Sequence, residues 1–99
     1  MGQFRLLFTA GANSNLIALA KDQSATKRLK AVQKTLGLLE RDPKHPSLNT
    51  HEYAKLSGPS GEKVFEAYAE TRTPAAFRVF FCYGPQPGEI TIIAVTPHP

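Results

Sequence analysis

The chain has 99 residues, of which 41% are hydrophobic and 20% charged, and this composition predicts one soluble globular domain, residues 1–99, with a single modest core. Its one cysteine excludes an internal disulfide and a cysteine-based metal site, and no apolar stretch suits a membrane span or a signal peptide, so we expect a cytoplasmic protein. The formal charge of +4 indicates attraction to nucleic acid or to an acidic protein partner.

The first half of the sequence predicts a strand followed by two helices. Residues 3–9 (QFRLLFT) are rich in large apolar side chains and favour a short strand. Thr9 can cap a first helix that begins one to three residues later. Ser24 is the predicted N-cap of a longer helix over residues 25–41, which ends before Pro43 because the residue preceding a proline avoids helical geometry.

The second predicted helix has the clearest periodicity in the chain. Its apolar residues recur at spacings of three and four, which is typical of one buried helical stripe: Ala25, Leu29, Val32, Leu36 and Leu39. The basic residues Lys27, Arg28, Lys30 and Lys34 lie off this stripe. They form either a solvated surface or a docking face for a polyanion.

The region between the helices and the next strands is rich in proline and glycine. Residues 43–61 predict a loop with a short extended piece around Leu48–Leu56. It contains three ionisable candidates for a site: His45, His51 and Lys55.

Three strand-like runs follow, over residues 63–70, 76–83 and 89–95. Their connections, TRTP and GPQPG, favour tight antiparallel hairpins over crossover helices. The sequence therefore predicts an α+β fold in the order β-α-α-β-β-β, with two helices on one face of a small antiparallel sheet. We expect the site on the sheet face that no helix covers.

Alternation along the second of these strands predicts which side chains reach that face. Phe77, Val79 and Phe81 form the natural core set, and Arg78 then projects onto the opposite, uncovered face. Such an arginine has two interpretations. It forms a structural ion pair with a glutamate of the neighbouring strand, Glu66 or Glu70, or it is a fixed cation for a phosphate or carboxylate.

His98 follows the third of these strands, which lies beside the strand carrying Arg78 in a hairpin-connected sheet. It is either part of a disordered tail or placed at the edge of the same face as Arg78. Pro97 and Pro99 favour the second interpretation because both stiffen its surroundings.

The remaining motifs exclude several chemistries. The histidine spacing fits no familiar zinc site, and there is no GxSxG, no glycine-rich phosphate loop and no helix-turn-helix signature, so no metal or cofactor is expected. Cys82 is interpreted as a packing residue. The candidate catalytic set is His51, Lys55, Arg78 and His98. It suits RNA cleavage by the RNA's own 2′-hydroxyl, which needs a base, an acid and positive charge at the phosphate.

Three stretches, LLERDPKHPSLNTHEY, FRVFFCYG and ITIIAVTPHP, together with the order of elements, resemble the RelE/ParE superfamily of toxins from bacterial toxin–antitoxin modules. Family members commonly have a long helix, a proline-rich turn, a strand carrying an arginine, and a final strand that ends in a histidine or similar residue. The resemblance extends from Phe4 to His98. It implies a single RelE-like domain with a small antiparallel sheet.

The RelE-like branch implies a ribosome-dependent endoribonuclease that cleaves mRNA and is silenced by a cognate antitoxin. By that resemblance, Arg78 binds the scissile phosphate and His98 is a general acid or base. His51 and Lys55 lie where relatives place further basic or imidazole groups, whereas Pro99 stands where several relatives have an aromatic or basic residue. The alternative is a non-catalytic member, either a ParE-like gyrase inhibitor or a partner-binding scaffold.

Overall fold

The computed structural model describes residues 3–98 and shows an α+β fold with a mixed five-stranded sheet. The strand order is β1-β5-β4-β3-β2, with β1 parallel to β5 and the other neighbours antiparallel. In chain order the elements are β1 (Arg5–Phe8), α1 (Ala10–Lys21), α2 (Thr26–Arg41), β2 (His51–Ser57), β3 (Lys63–Tyr68), β4 (Phe77–Tyr83) and β5 (Glu89–Pro97), with 3₁₀ turns at Gln23–Ala25 and Pro46–Leu48. The predicted fold class is confirmed.

The sheet differs from the prediction in two respects. The sequence predicted only an extended piece around Leu48–Leu56, and the structure has a full strand, β2, at one edge of the sheet. Six of the seven residues of β2 are exposed, so the strand lacks the apolar alternation that would have marked it. The sheet is also mixed rather than purely antiparallel. The two helices carry the chain from β1 to β2 at the opposite edge, and the antiparallel run from β2 to β5 then brings β5 beside β1 in a parallel direction.

The helix starts follow the capping chemistry only in part. Thr9 caps α1 as predicted, with its hydroxyl oxygen accepting a hydrogen bond from the Ala12 N–H at 3.1 Å. The prediction that Ser24 caps the second helix is wrong. The Asp22 carboxylate already accepts the Ser24 N–H at 2.9 Å, so the chain enters a 3₁₀ turn there and α2 begins later, at Thr26.

The core lies between the helices and one face of the sheet. The predicted stripe of α2 is buried or half-buried and packs against residues from the strands. The fully buried members of this core are Ala12, Val32, Leu39, Ala67, Val79, Phe81, Ile90 and Ile92. Of the four basic residues placed on the outer face of α2, Lys27, Lys30 and Lys34 are exposed. Arg28 instead turns inward and pairs with Glu70 at 2.8 Å, Nε to Oε1.

The second sheet face carries no helix, yet part of it is closed. Phe80 and Cys82 lie on this face and are buried. The Tyr53 ring of β2 lies 5.0 Å from the Phe80 ring, and a Cβ on Gly58 would lie 3.0 Å from the Cys82 sulfur. The strand β2 and the turn after it therefore cover part of the face that we expected to be open.

The pairing of β2 with β3 explains how this edge strand covers the face. Between two paired positions, β2 advances five residues from Glu52 to Ser57, while β3 advances only two from Phe65 to Lys63. Extra residues on one strand bend it and increase its twist.

Within residues 3–98, no helix is long and apolar enough to cross a membrane.

Candidate functional site

Four neighbouring strands place four polar side chains in a row across the second sheet face. His51 of β2 pairs with Glu66 of β3, Arg78 of β4 pairs with Tyr68 of β3, and His98 follows directly after β5. Because side chains alternate along a strand, the residues at these positions point to the face opposite the helices. We call His51, Glu66, Arg78 and His98 the polar row.

Glu66 is the centre of the polar row. Its side chain is 0% exposed, and its two oxygens face different partners. Oε2 is hydrogen-bonded to Nδ1 of His98 and lies 3.7 Å from Nε of Arg78. Oε1 lies 2.8 Å from Nε2 of His51, which is ion-pair distance, although the alignment is not that of a hydrogen bond. A buried carboxylate is costly unless it is compensated, and here three cationic or titratable groups surround it.

Arg78 is enclosed rather than free. Its side chain is only 10% exposed, and Nη1 donates to the backbone oxygen of Glu70 at 2.5 Å. Its guanidinium carbon lies 3.8 Å from the centre of the Tyr68 ring, a cation–π contact. The expectation that the Arg78 side chain is exposed on an uncovered face is therefore wrong. The geometry is that of the alternative interpretation, an ion pair with Glu66. An arginine inside an apolar strand is enclosed because its neighbours supply a carboxylate, a carbonyl and an aromatic ring.

His98 is held in place at the end of β5. Its backbone N–H donates to the Ala76 oxygen at 3.0 Å, and its ring lies 6.2 Å from the Tyr53 ring in an edge-to-face arrangement. The side chain remains 46% exposed. His98 thus has one ring nitrogen on Glu66 and the rest of the ring at the surface. Pro99, which stands where several members of the RelE/ParE superfamily have an aromatic or basic residue, lies outside the described residues.

His51 has a contact at each ring nitrogen. Nδ1 is hydrogen-bonded to the backbone oxygen of Asn49 at 3.2 Å, and Nε2 faces Glu66. The ring also meets the Tyr68 ring edge-to-face at 5.8 Å, and the side chain is 49% exposed. Two half-exposed imidazoles therefore flank one buried carboxylate.

The structure does not bring every candidate into this arrangement. Lys55 is exposed on β2 and makes no hydrogen bond or ion pair with any residue in 3–98, so it lies outside the contacts of the polar row. His45 serves the backbone instead, since its Nδ1 accepts the Ser47 N–H at 3.1 Å where a 3₁₀ turn begins.

The polar row lies on an open face and not in a cavity. Two grooves of about 540 and 470 Å³ lie elsewhere, one beside Lys44 and Tyr83 and the other between α2 and the turn after β3. An open face with exposed imidazoles suits an extended polymer better than an enclosed small molecule. Across residues 3–98, no cluster of three or more His, Cys, Asp or Glu side chains is arranged to hold a metal ion.

The sequence reasoning missed the central role of Glu66. It considered this residue only as a partner that would neutralise Arg78, and the structure shows that it also binds both imidazoles. The signal was present in the stretch VFEAY of β3, where Glu66 stands among apolar and aromatic neighbours. The same argument that singled out Arg78 in its strand applies to Glu66.

The architecture, with one strand, two helices and four further strands in a mixed sheet, is the RelE-like fold shared by the RelE, YoeB and ParE toxins. The chain superposes on the YoeB/ParE toxin from Agrobacterium tumefaciens with a TM-score of 0.70 and 10% identity, covering 97% of this chain and 100% of the other. It superposes on RelE of the RelE-RelB complex from the archaeon Pyrococcus horikoshii OT3 with a TM-score of 0.64 and 14% identity, over 96% and 94% of the two chains.

A YoeB from Staphylococcus aureus, solved as a dimer, gives a TM-score of 0.63 at 11% identity, over 99% of this chain and 100% of that one. The sequence matches no protein-family model and no curated protein. At these identities the likeness establishes the fold, and the activity has to be argued from the site.

Proposed function

We propose that the protein is the toxin of a toxin–antitoxin module and acts as a ribosome-dependent endoribonuclease that cleaves mRNA. The observation that supports this most directly is the polar row itself. Two half-exposed imidazoles and a guanidinium meet at one buried carboxylate, on an open sheet face of a RelE-like fold.

These groups match the needs of RNA cleavage through the 2′-hydroxyl. The reaction requires a proton acceptor for that hydroxyl, and an imidazole serves this role near neutral pH. It also requires positive charge near the phosphate. Arg78 supplies this charge from beneath the exposed rings, and His51 can add to it. Lys55, exposed on the same edge strand, remains a candidate electrostatic helper for the RNA backbone.

The rest of the surface agrees with a polyanionic target. Lys27, Lys30 and Lys34 are exposed on the outer face of α2, a helix whose sequence holds one acidic residue, Glu40. Such a face attracts nucleic acid by charge and without sequence preference. We further propose that a cognate antitoxin silences the protein, in a single domain that works in the cytoplasm without a cofactor. One of the structural relatives, the archaeal RelE, was solved with its partner RelB.

One observation favours a second candidate, a non-catalytic member that binds gyrase or another partner. Arg78 donates from Nη1 to two backbone oxygens, its Nε lies 3.7 Å from Glu66, and its side chain is only 10% exposed, so little of its surface is left for a phosphate. In that case the face would serve recognition and not chemistry.

Controlled expression in bacteria separates the two candidates. The proposal predicts growth arrest with mRNA cut during translation, and His98→Ala should abolish both while the protein remains folded. His45→Ala is the matched control, because this histidine lies outside the polar row. Inhibition of DNA supercoiling without mRNA cleavage would refute the endoribonuclease and support the ParE-like alternative.

A further inference from the structure

The groove between α2 and the turn after β3, about 470 Å³ in volume, concentrates positive charge. We call it the basic groove, and the charged residues that line it are Lys27, Arg28, Glu70 and Arg72. We propose that the basic groove binds the phosphate backbone of the RNA strand that crosses the polar row, with Arg28 as a fixed phosphate contact. This inference rests on the proposed function and adds a second binding site for the same substrate.

Arg28 is held in the basic groove by two contacts. Its Nε donates to Oε1 of Glu70 at 2.8 Å, and its guanidinium carbon lies 4.6 Å from the centre of the Phe77 ring. Glu70 is fixed in turn, because the same oxygen accepts the Phe77 N–H at 3.0 Å. Within residues 3–98, Nη1 and Nη2 of Arg28 make no hydrogen bond, and the side chain is 30% exposed. A guanidinium with a fixed stem and free terminal N–H groups suits a phosphate, which it binds as a planar fork.

Two further cations flank Arg28. Lys27 and Arg72 are exposed, and neither forms an ion pair or a side-chain hydrogen bond with any other described residue. Against these three cations the groove has one carboxylate, that of Glu70, which Arg28 already binds. The basic groove therefore keeps an excess of positive charge. It also holds two exposed hydroxyls that can donate to phosphate oxygens, those of Thr71 and Thr73.

The basic groove is connected to the polar row. A smaller groove of about 250 Å³ shares Ala25 and Arg28 with it and extends to Thr96 and Pro97 at the end of β5. Pro97 directly precedes His98. An RNA strand that leaves the polar row at His98 can therefore follow this connecting groove to Arg28.

The connecting groove differs from the basic groove in its charge. It holds one acidic side chain, Asp22, whose charge offsets that of Arg28. The Asp22 carboxylate accepts hydrogen bonds from the N–H and the hydroxyl of Ser24. The phosphates of the strand therefore belong at Arg28 and in the basic groove beyond it, whereas the connecting groove takes uncharged sugars or bases.

The lining of the basic groove favours an RNA backbone over a protein segment. Its apolar residues are two alanines, Ala25 and Ala31, so it has no pocket for the large apolar or aromatic side chain on which a protein interface depends. An RNA backbone needs cations and hydrogen-bond donors instead. Lys30 and Lys34 continue the line of cations beyond the groove, because residues three and seven positions after Lys27 lie on the same face of a helix.

Binding of an RNA that cannot be cleaved tests the basic groove without any catalysis. The probe is a 2′-O-methyl oligouridylate, in which the attacking hydroxyl is blocked, and fluorescence anisotropy measures its affinity at several salt concentrations. For single strands, each neutralised phosphate contributes about 0.7 to the slope of log K against log salt, which is about fivefold in affinity between 1 M and 0.1 M salt. We therefore expect Lys27→Ala combined with Arg72→Ala to reduce the slope by about 1.4 and the affinity at 0.1 M salt by about 25-fold.

The matched control is Arg41→Ala combined with Lys44→Ala. It removes the same two charges from exposed positions outside both grooves, so its affinity should fall by less than about threefold. Both variants change only exposed side chains, and circular dichroism should show the wild-type fold in each. Equal losses in the two variants would show that the RNA responds to net charge alone, and the groove assignment would then be wrong.

Nuclear magnetic resonance of the Arg28 Nε–H group gives a local readout. Because Glu70 accepts this proton, its exchange with solvent should be slow enough for the signal to be observed. The signal should shift as oligouridylate is added and saturate together with the anisotropy. Inorganic phosphate at the same phosphate concentration should leave it nearly unchanged, and polyglutamate should bind at least tenfold more weakly than the RNA. An equal response to inorganic phosphate would indicate a site for a lone anion, and equal binding of polyglutamate would indicate an acidic protein partner. Either result overturns the inference.

Cleavage assays on translating ribosomes separate this inference from the proposed function. If the wild type binds the oligouridylate in the basic groove but cuts no mRNA, the proposed function fails and the groove assignment stands. If the wild type cuts mRNA and the variant of Lys27 and Arg72 binds RNA as the control does, the groove assignment fails and the proposed function stands.

Discussion

The pair between Glu66 and Arg78 leads to the sharpest stability prediction. Nε of Arg78 lies 3.7 Å from Oε2, and both side chains are almost fully enclosed. At an effective dielectric constant of about 20, two unit charges at this distance attract by about 4.5 kcal/mol. Removing one partner of a buried pair typically costs about 3–5 kcal/mol, because the other charge stays buried. We therefore expect Arg78→Met, which replaces the aliphatic stem and removes the charge, to lower the free energy of unfolding by about 3–4 kcal/mol.

Urea unfolding at pH 7, followed by circular dichroism, measures this in a double-mutant cycle. Because Glu66→Gln removes the buried charge, the double variant with Arg78→Met should be less destabilised than the sum of the two single variants, by about 2 kcal/mol. The matched control is Arg5→Met. Arg5 faces Glu89 at 4.0 Å but is 76% exposed, so its loss should cost less than about 1 kcal/mol. A cost for Arg78→Met as small as that of the control, or strict additivity in the cycle, would refute a compensating buried pair.

This prediction changes how an inactive variant is interpreted. If Arg78→Ala relieves growth arrest, unfolding alone can account for it, since a loss of this size approaches the total stability of many small domains. His98→Ala is the cleaner test of chemistry because that side chain is half exposed. The two variants should therefore be compared at matched folded fractions.

Three smaller predictions concern the scaffold. Gly58→Ala should lower the melting temperature, at a cost of about 1–3 kcal/mol, because the new Cβ would lie 3.0 Å from the Cys82 sulfur and closer still to a carboxylate; an unchanged melting temperature would contradict the packing. Burial raises the pKa of the Cys82 thiol, so alkylation of this thiol at pH 8 should be slow in the native protein and fast in urea. Equal rates under both conditions would show that the thiol is accessible in the native protein. Hydrogen bonds from Ser24 lower the pKa of the Asp22 carboxyl, so its contribution to stability is present above the ordinary pKa of 3.8 and is lost as the pH falls through the folded value. In Asp22→Asn the free energy of unfolding should therefore fall less steeply with decreasing pH in this acidic range. The same dependence on pH in the variant and the wild type would refute the assignment.

The sequence predicted the elements whose pattern is set by burial. The apolar stripe of α2 and the hydrophobic runs of β3, β4 and β5 have a clear period, because each buries one face against the core. The strand β2 was seen only as a loop with an extended piece. It lies at the edge of the sheet and is exposed along most of its length, so its residues carry little burial signal.

The sequence predicted where Arg78 and His98 lie in the sheet but not the contacts that join the four side chains of the polar row. Alternation placed Arg78 on the correct face, and the hairpin order brought His98 beside it. What alternation does not give is the register in which two strands pair. The meeting of His51 with Glu66 depends on the register of an irregular edge pairing, which no local pattern encodes. For the same reason Lys55, four residues further along that strand, was grouped with the site and lies outside its contacts.

Because β2 is exposed, the part of the polar row that it carries should open locally more easily than the part on the central strands. Glu66 and Arg78 sit on central strands, whereas His51 belongs to an edge strand with one partner, few buried contacts and an irregular ladder. Such segments open with free energies far below that of global unfolding. Amide protons of β2 should then exchange with solvent while those of β3 and β4 remain protected. We therefore expect the complete row to form and open repeatedly, and a binding partner that contacts His51 to stabilise the edge of the sheet.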